Sequence, residues 1–303
     1  IKEVKKRDEG RQMDRTRRAF RNTTLTAAAL LGLAFLTHTA LAQAQAPTFR
    51  LLTFEAGSSG PRLGSTRGSG EQEVVDVHNA ILALIKAQAP ELKGLAPIPP
   101  DMLSLIQAGA PSVAAVRTVH DAMARLKSSG RFTEPGGSQR GFYPERGIKY
   151  LPPVLNPSKI YGAAGAYLRK NADGTPGTYD NVEYPSFFLK PPSSMTGHES
   201  EINFDGLLTT GVHEPEMAVI IGKMAKDVPA EKAMDYVLGY TILNDVSARG
   251  LAEGKHQSQG SVISKGLDTF SPVGPYITLK EDLPNVGRLD VYAVLDGVRH
   301  QWP

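Results

Sequence analysis

Short runs of apolar residues, separated by proline, glycine and asparagine or aspartate, fill most of the chain after residue 47 and predict β-strands. We expect strands at Phe49–Phe54, Phe187–Leu189, Glu216–Ile221, Tyr240–Leu243, Tyr276–Leu279 and Leu289–Leu295. Asp296 and Gly297 stand between two apolar runs, and this pair is typical of a two-residue hairpin turn. The 30 glycines and 22 prolines also favour turn-rich strands over a helical bundle. The pattern therefore predicts an α+β protein that is mainly β.

In a smaller set of segments, apolar residues recur three and four positions apart, which predicts helices. These segments are Asp101–Gln107, Ser112–Leu126 and Pro229–Leu238, together with Val74–Ile85, where a strand should run into a helix. Ser112 follows a proline and is a suitable N-cap for its helix. Most of the predicted helices fall before residue 150, which indicates a small α/β unit in that part of the chain.

Changes in the pattern of apolar and turn-forming residues along the chain predict three segments. Residues 1–46 are upstream residues with a signal peptide, and residues 47–150 are a small N-terminal α/β domain that ends in a polar linker. Residues 151–303 consist of short apolar runs between turn residues and should form two packed sheets.

The first part carries the pattern of an export signal. Basic residues through Arg21 precede the apolar run Leu25–Leu36, and the small-x-small triplet at 40–42 predicts cleavage near Ala42. A run of 12 residues is short for a bilayer, so we expect an exported, periplasmic or secreted protein without a stable membrane span after cleavage. A retained anchor or a core helix is the alternative. Thr16–Phe20 resembles a twin-arginine signal, although an arginine-rich segment can match it by chance.

Composition excludes several functions. The chain has no cysteine, which rules out disulfides, thiolate catalysis and cysteine-ligated zinc. Residues 1–46 hold nine lysines and arginines against four aspartates and glutamates, a surplus of five, so the total formal charge of +3 leaves about −2 for the remainder. This charge gives no reason to expect a nucleic-acid partner.

Carboxylates cluster around the predicted strands near residues 214–245. Glu214 and Glu216 open an apolar strand, and side chains two positions apart on a strand share a face, with Cα atoms roughly 7 Å apart. Hard oxygen ligands without thiols indicate Mg²⁺, Ca²⁺ or Mn²⁺, whereas a solvated edge strand is the alternative. Asp245 ends another apolar run, where it could equally cap a turn. Lys265 stands beside a glycine ahead of a proline-fixed turn, and could approach a ligand or be an ordinary loop lysine.

These residues belong to three ordered motifs that resemble the fumarylacetoacetate hydrolase (FAH) family. Residues 213–222 read HEPEMAVIIG, residues 239–249 read GYTILNDVSAR, and residues 265–275 read KGLDTFSPVGP. Upstream, NPSKI at 156–160 and PSFFLK at 185–190 are also similar to the family. The resemblance is weak before residue 156 and specific after it.

The resemblance implies a β-rich catalytic domain of the sandwich or roll type, a homodimer, and Mg²⁺ or alternatively Ca²⁺ or Mn²⁺. Glu214, Glu216 and Asp245 would be the metal ligands, and Lys265 would stabilise a developing oxyanion or enolate. The residues near the substrate would be Tyr167, Arg249 and Thr269.

The family's substrates are acylpyruvates and related 2-oxo or 2,4-dioxo acids, whose neighbouring oxygens can chelate a metal ion. The resemblance therefore implies a divalent-metal-dependent hydrolase of carbon–carbon bonds. One alternative is an isomerase or decarboxylase of 2-oxo or 2-hydroxydienoic diacids on the same metal platform. The other is an exported non-catalytic member that binds metal and carboxylate ligands.

The segment after NPSKI departs from the family pattern G-x-N-Y-x-x-H-x-x-E, which supplies the water-activating pair. Ala166 and Lys170 replace the asparagine and histidine, and Asp173 stands where glutamate is expected. Lys170 could act as a base only if burial lowered its pKa, and a solvated loop lysine is the alternative. Family members also continue for several dozen residues beyond the Asp296–Gly297 turn, so we expect the catalytic domain to be incomplete at its C-terminus.

Overall fold

A computed structural model describes residues 48–68, 73–164, 186–206, 210–249, 251 and 260–300. The predicted export signal and three predicted site residues, Tyr167, Lys170 and Asp173, lie outside the described residues. Within the described part of the chain, no helix combines the length and the apolar character that a membrane span needs.

Strands dominate the described structure. In chain order they are β1 (Phe49–Glu55), β2 (Arg62–Arg67), β3 (Glu73–Asp76), β4 (Phe142–Pro144), β5 (Lys149–Tyr150), β6 (Ile160–Ala164), β7 (Ser186–Lys190), β8 (Met195–Thr196), β9 (Thr210–Val212), β10 (Pro215–Ile221), β11 (Val237–Asn244), β12 (Ser247–Arg249), β13 (Ser271–Pro272), β14 (Ile277–Leu279), β15 (Ala293–Leu295) and β16 (Val298–His300). The α-helices of the described part are α1 (Val77–Lys86), α2 (Met102–Ala108), α3 (Ala110–Ser128) and α4 (Gly260–Lys265). The α+β class with mainly antiparallel strands is confirmed.

Eight strands form one antiparallel sheet in the order β10-β11-β14-β1-β2-β3-β4, with β5 paired to β1. Leu51 of β1 faces Ser65 of β2 on one side and Ile277 of β14 on the other. The sheet thus joins strands from both sides of residue 150. The predicted division at residue 150 does not coincide with a break in this sheet.

The helices α1 and α3 cover the sheet with their apolar sides. Val75 of β3 packs with Leu84 of α1 and with Val119 and Met123 of α3 in one buried cluster. Asp76 caps the N-terminus of α1, because its carboxylate accepts a hydrogen bond from the Asn79 backbone N–H at 3.0 Å. Burial of these large apolar side chains supplies most of the driving force for this half of the fold.

Four pairs of strands stand apart from the large sheet. The antiparallel pairs are β6 with β7, β9 with β12, and β15 with β16, and β8 lies parallel to β13. In the last antiparallel pair, Asp296 and Gly297 form the two-residue turn with φ of +52° and +79°, as the sequence predicts.

Most predicted elements are found, and three differ. Pro229–Leu238 is not an α-helix: a 3₁₀-helix covers Ala230–Tyr236, and the next residues start β11. No residue of this 3₁₀-helix is buried, so its apolar positions have no core to pack against, and from Val237 onward the chain pairs with β10 instead. The helix α3 starts at Ala110 after Gly109, whose φ of +84° ends α2, so Ser112 is not its cap. Only the last three residues of Leu289–Leu295 form a strand.

Candidate active site

Two carboxylates meet at one end of the β10–β11 pair because of the strand register. Glu214 precedes β10 and Asp245 follows β11, where Pro215 faces Asn244. The Asp245 N–H donates to the Glu214 carbonyl at 2.8 Å, and the Glu214 N–H donates to the Asn244 side-chain oxygen at 2.9 Å. These bonds continue the ladder past the strand ends and hold the two acidic residues side by side.

Lys265, the last residue of α4, brings a cation to these carboxylates. Its Nζ lies 2.7 Å from Glu214 Oε2 and 2.7 Å from Asp245 Oδ2. The neighbouring Gly266 is required sterically, because a Cβ there would lie 2.5 Å from the Val262 carbonyl oxygen. The lysine–glycine pair noted in the sequence therefore ends a helix at the carboxylates.

Ser247 forms a hydrogen bond to the second carboxylate oxygen of Glu214. Its hydroxyl donates to Glu214 Oε1 at 2.9 Å, and the serine is buried at the start of β12. This serine lies within the second motif, but no pattern in the sequence indicates its role. Because both oxygens of Glu214 are engaged, the carboxylate is oriented rather than free to rotate.

A second lysine, Lys190 at the end of β7, reaches Asp245 from the interior. Its Nζ lies 2.7 Å from Asp245 Oδ1 and donates to the Lys265 carbonyl at 2.6 Å. Burial lowers the pKa of Lys190, while the hydrogen bond and charge of Asp245 act in the opposite direction. The sequence alone does not predict a function for Lys190. The only available signal was a lysine that closes the apolar run of β7.

We call Glu214, Asp245, Lys190 and Lys265 the four-charge cluster. Its formal charges cancel, and its side chains range from 1% exposed at Lys190 and 7% at Asp245 to 15% at Lys265 and 30% at Glu214. One side of the cluster is thus sealed, and the side of Glu214 and Lys265 is open to solvent. A small anionic molecule would enter from that open side.

The β6–β7 pair forms a wall beside the cluster. Lys265 Nζ lies 5.1 Å from the ring centroid of Phe188, in the range of a cation–π contact. Gly162 faces Phe188 across the pair, and a Cβ at Gly162 would come within 2.1 Å of the ring. The glycine leaves room for the far edge of the Phe188 ring, which lies beside Lys265.

The other predicted site residues have different surroundings. Thr269 has φ of +68°, and its hydroxyl accepts a hydrogen bond from the Asn203 N–H at 2.8 Å, so it anchors the loop before β13. Arg249 is exposed at the end of β12, and Glu216 faces Leu243 within the β10–β11 ladder. The structure therefore unites Glu214, Asp245 and Lys265. Across the described ranges, no three histidine, aspartate or glutamate side chains converge as metal ligands would.

The donor atoms nevertheless suit a hard divalent cation. Glu214 Oε2 and Asp245 Oδ2 already converge on one positively charged atom, and carboxylate oxygens are the ligands that Mg²⁺, Mn²⁺ and Ca²⁺ prefer. A metal ion would share these oxygens with Lys265 or replace its ammonium group. The three-ligand set with Glu216 stays a prediction.

Comparison with known proteins agrees with the motifs. Residues 159–302 match the family model described as fumarylacetoacetate (FAA) hydrolase C-terminal. This part of the chain is therefore similar to the C-terminal domain of the FAH family. All four residues of the four-charge cluster fall within the matched segment.

Two curated relatives and one solved structure show the range of similar proteins. An uncharacterized protein of Pyrococcus abyssi is 53% identical over 131 residues, which are 43% of this chain and 56% of that protein. The oxaloacetate tautomerase YisK of Bacillus subtilis is 34% identical over 155 residues, or 51% of this chain and 50% of that protein. The chain thus spans about half the length of the curated relatives it matches.

The solved structure is that of maleylpyruvate hydrolase from Sphingobium sp. SYK-6, in complex with manganese(II) ion and pyruvate. It is 27% identical, with a TM-score of 0.51, and the match covers 83% of this chain and 76% of that chain. The FAH-type fold therefore extends over most of the described residues.

Proposed function

We propose that this protein is a divalent-metal-dependent hydrolase that cleaves carbon–carbon bonds in acylpyruvate-like 2,4-dioxo acids. The observation that carries the proposal is the convergence of Glu214, Asp245 and Lys265 within 2.7 Å contacts at a site open on one side. Manganese and pyruvate in the similar maleylpyruvate hydrolase support a divalent ion and a 2-oxo acid.

Each residue of the cluster has a role in this chemistry. Glu214 and Asp245, with Glu216 as the proposed third ligand, would hold the metal ion, and Mg²⁺ is our first choice. When bound, such an ion polarises a substrate carbonyl as a Lewis acid. Lys265 offers a positive charge to the oxygen that becomes negative when the carbon–carbon bond breaks. Ser247 keeps the Glu214 carboxylate oriented for this task.

Hydrolysis adds the hydroxyl of water to the acyl carbon and a proton to the departing carbon, which leaves as an enolate. The electron pair of the broken bond moves onto the enolate oxygen, where Lys265 stabilises it. The predicted water base, Lys170 with Asp173, lies outside the described residues, as does the proposed substrate neighbour Tyr167. We retain Arg249 and Thr269 as proposed substrate-side residues.

A second candidate function is isomerisation, tautomerisation or decarboxylation of a related 2-oxo diacid on the same platform. The 34% identity to an oxaloacetate tautomerase favours this candidate. These reactions also need a stabilised enolate but no attacking water, which suits a chain with Ala166 and Lys170 at the positions of the family's asparagine and histidine.

We also propose that the protein is exported and forms a homodimer. The signal pattern with cleavage near Ala42 supports export. The outer side of the β10–β11 pair supports a dimer, because Val219, Ile221 and Ile242 are exposed there. Mass spectrometry of the protein from the producing cell tests the first proposal, and light scattering of the purified protein tests the second.

The experiment for the main proposal measures acylpyruvate turnover by the purified protein in ¹⁸O-labelled water. With Mg²⁺ or Mn²⁺, we expect label in the carboxylate product, and we expect loss of turnover in Glu214→Gln but not in the surface control Lys149→Met. Enolisation or decarboxylation without label would favour the second candidate. Metal binding without turnover of any such acid would contradict both and favour the non-catalytic alternative.

A further inference from the structure

The proposed chemistry makes no use of Lys190, although this lysine is the most deeply buried member of the four-charge cluster. Its side chain is 1% exposed. A buried ammonium group is costly unless charges and hydrogen bonds compensate it. Here the compensating groups are the Asp245 carboxylate and the Lys265 and Val246 carbonyls. Lys190 is therefore stabilised by groups at the candidate active site.

The contacts of Lys190 connect two separate elements of the site. One is the carboxylate of Asp245 after β11, at 2.7 Å from Nζ. The other is the carbonyl of Lys265 at the end of α4, at 2.6 Å, with a longer contact of 3.4 Å to the Val246 carbonyl. Lys190 therefore touches a metal-ligand candidate and the backbone from which the proposed oxyanion-stabilising side chain extends.

The alternation of side chains along β7 directs Lys190 into the site. Side chains alternate along a strand, so Phe188 and Lys190 point to the site while Phe187 and Leu189 point outward, where they are 59% and 49% exposed. The facing residue of Phe188 is Gly162. One strand thus provides both the aromatic wall beside Lys265 and the buried cation behind Asp245.

We infer that Lys190 is a positioning residue, which fixes the Asp245 carboxylate and the Lys265 backbone relative to each other. This inference rests on the proposed function, because it concerns the same cation-binding site. The three donor hydrogens of an ammonium group suit two or three acceptors that come from different elements. Without the lysine, Asp245 Oδ1 loses its ion-pair partner, and the end of α4 loses its link to the residue that follows β11.

If Lys190 acts only as a counter-charge to Asp245, the expected change in divalent-cation affinity has the opposite sign. If Lys190 only neutralised Asp245, its removal would leave the site more negative, and a divalent cation would bind more tightly. If Lys190 positions the site, its removal should weaken cation binding despite the added negative charge. The direction of the change therefore distinguishes the two roles.

The experiment measures Mn²⁺ affinity of the purified protein by titration calorimetry, with Mn²⁺ alone as the probe. We expect Lys190→Met to weaken Mn²⁺ binding about tenfold, as is usual for groups that orient metal ligands. Val116→Ala serves as the control, because it removes buried apolar volume from a core cluster that includes none of the four charged residues, and it should lower the melting temperature without changing Mn²⁺ affinity. Unchanged or tighter binding by Lys190→Met would overturn the inference.

Lys190→Arg covers the case in which Lys190→Met does not fold. Arginine keeps the buried positive charge but presents a planar fork that cannot reproduce the contacts of one ammonium group. Positioning predicts weaker Mn²⁺ binding by Lys190→Arg, and a counter-charge role predicts wild-type binding.

The absence of cysteine makes a chemical rescue possible. Lys190→Cys would hold the single thiol of the chain, and alkylation with 2-bromoethylamine in denaturant followed by refolding restores an ammonium group at the reach of lysine. We expect the alkylated protein to recover Mn²⁺ affinity relative to the unmodified variant. Equal affinities of the two forms would contradict the positioning role.

The variant Glu214→Gln separates this inference from the proposed function. If Glu214→Gln weakens Mn²⁺ binding but the Lys190 variants do not, the positioning role fails and the metal site stands. If Glu214→Gln binds Mn²⁺ as the wild type does, or if the wild type binds none, the metal site fails, and the positioning role fails with it.

Discussion

Buried polar groups occur in two regions of this molecule, and their surroundings differ in an instructive way. Under α3, the Ser65 hydroxyl and His120 Nδ1 lie 2.9 Å apart, and both residues are buried. The four-charge cluster is also partly buried, but it has one open side, at Glu214 and Lys265.

The closed region serves the fold and the open region suits chemistry. Burial lowers the pKa of His120 to about 4, so this histidine is neutral in the folded protein at physiological pH, with its ring edge-on to Phe49 at 5.5 Å. The cluster instead brings two carboxylates and two lysines together where a ligand can reach Glu214 and Lys265. A buried polar or charged group therefore indicates a functional site only where solvent can also reach it.

The largest effect is expected for Asp245→Asn. This change leaves the buried Lys190 without its carboxylate partner, and breaking a buried ion pair on one side typically costs about 3–5 kcal/mol. Chemical denaturation should show this loss, whereas Asp121→Asn, at the half-exposed pair with Arg67, should cost less than about 1 kcal/mol. Similar losses in the two variants would remove the distinction between cluster and surface pairs.

The second largest effect is expected for the pH dependence of stability, which His120 controls in the closed region. Because the folded pKa of His120 lies below its usual 6.5, the unfolded chain binds this proton more readily. Its contribution is complete above pH 6.5 and decreases toward pH 4, by about 3 kcal/mol over that window. His120→Gln should flatten this part of the stability–pH curve. The exposed His78 provides the control, since His78→Gln should keep the wild-type slope.

Lys265→Met tests the open region by activity. We expect kcat to fall about 100-fold or more, because a preorganised positive charge at a developing oxyanion is removed. The surface lysine Lys149, which is 70% exposed, provides the matched control in Lys149→Met. A Lys265→Met protein with wild-type kcat would show that this lysine serves the fold, as His120 does.

Ser247→Ala should have the smallest effect. It removes one hydrogen bond to Glu214 Oε1, worth about 1 kcal/mol, and should lower kcat/KM about fivefold with little change in melting temperature. A drop as large as that of Lys265→Met would instead give the serine hydroxyl a direct role in the reaction.

The sequence predicts the parts of the site that depend on local pattern. Glu214 and Asp245 could be placed because each adjoins an apolar run, and Lys265 because a glycine follows it. Their meeting depends on the β10–β11 register and on the end of α4, and this could only be expected from the motif resemblance.

The rest of the structure depends on contacts between distant residues. Lys190 and Ser247 went unassigned because their roles arise from partners 55 and 33 positions away. The same limit explains the 3₁₀-helix at Ala230–Tyr236 and the β1–β14 pairing. Pro229–Leu238 has helical spacing, and only the pairing of Val237 and the following residues with β10 shows where the strand begins.

The most direct test of the central claim is a crystal structure of the protein grown with Mn²⁺, in which anomalous scattering locates the ion. The account predicts an anomalous peak within about 2.0–2.6 Å of carboxylate oxygens from both Glu214 and Asp245. The same crystals of Glu214→Gln should lose that peak. A protein crystallised in saturating Mn²⁺ with Lys265 still between the two carboxylates, and the peak elsewhere, would contradict the metal site.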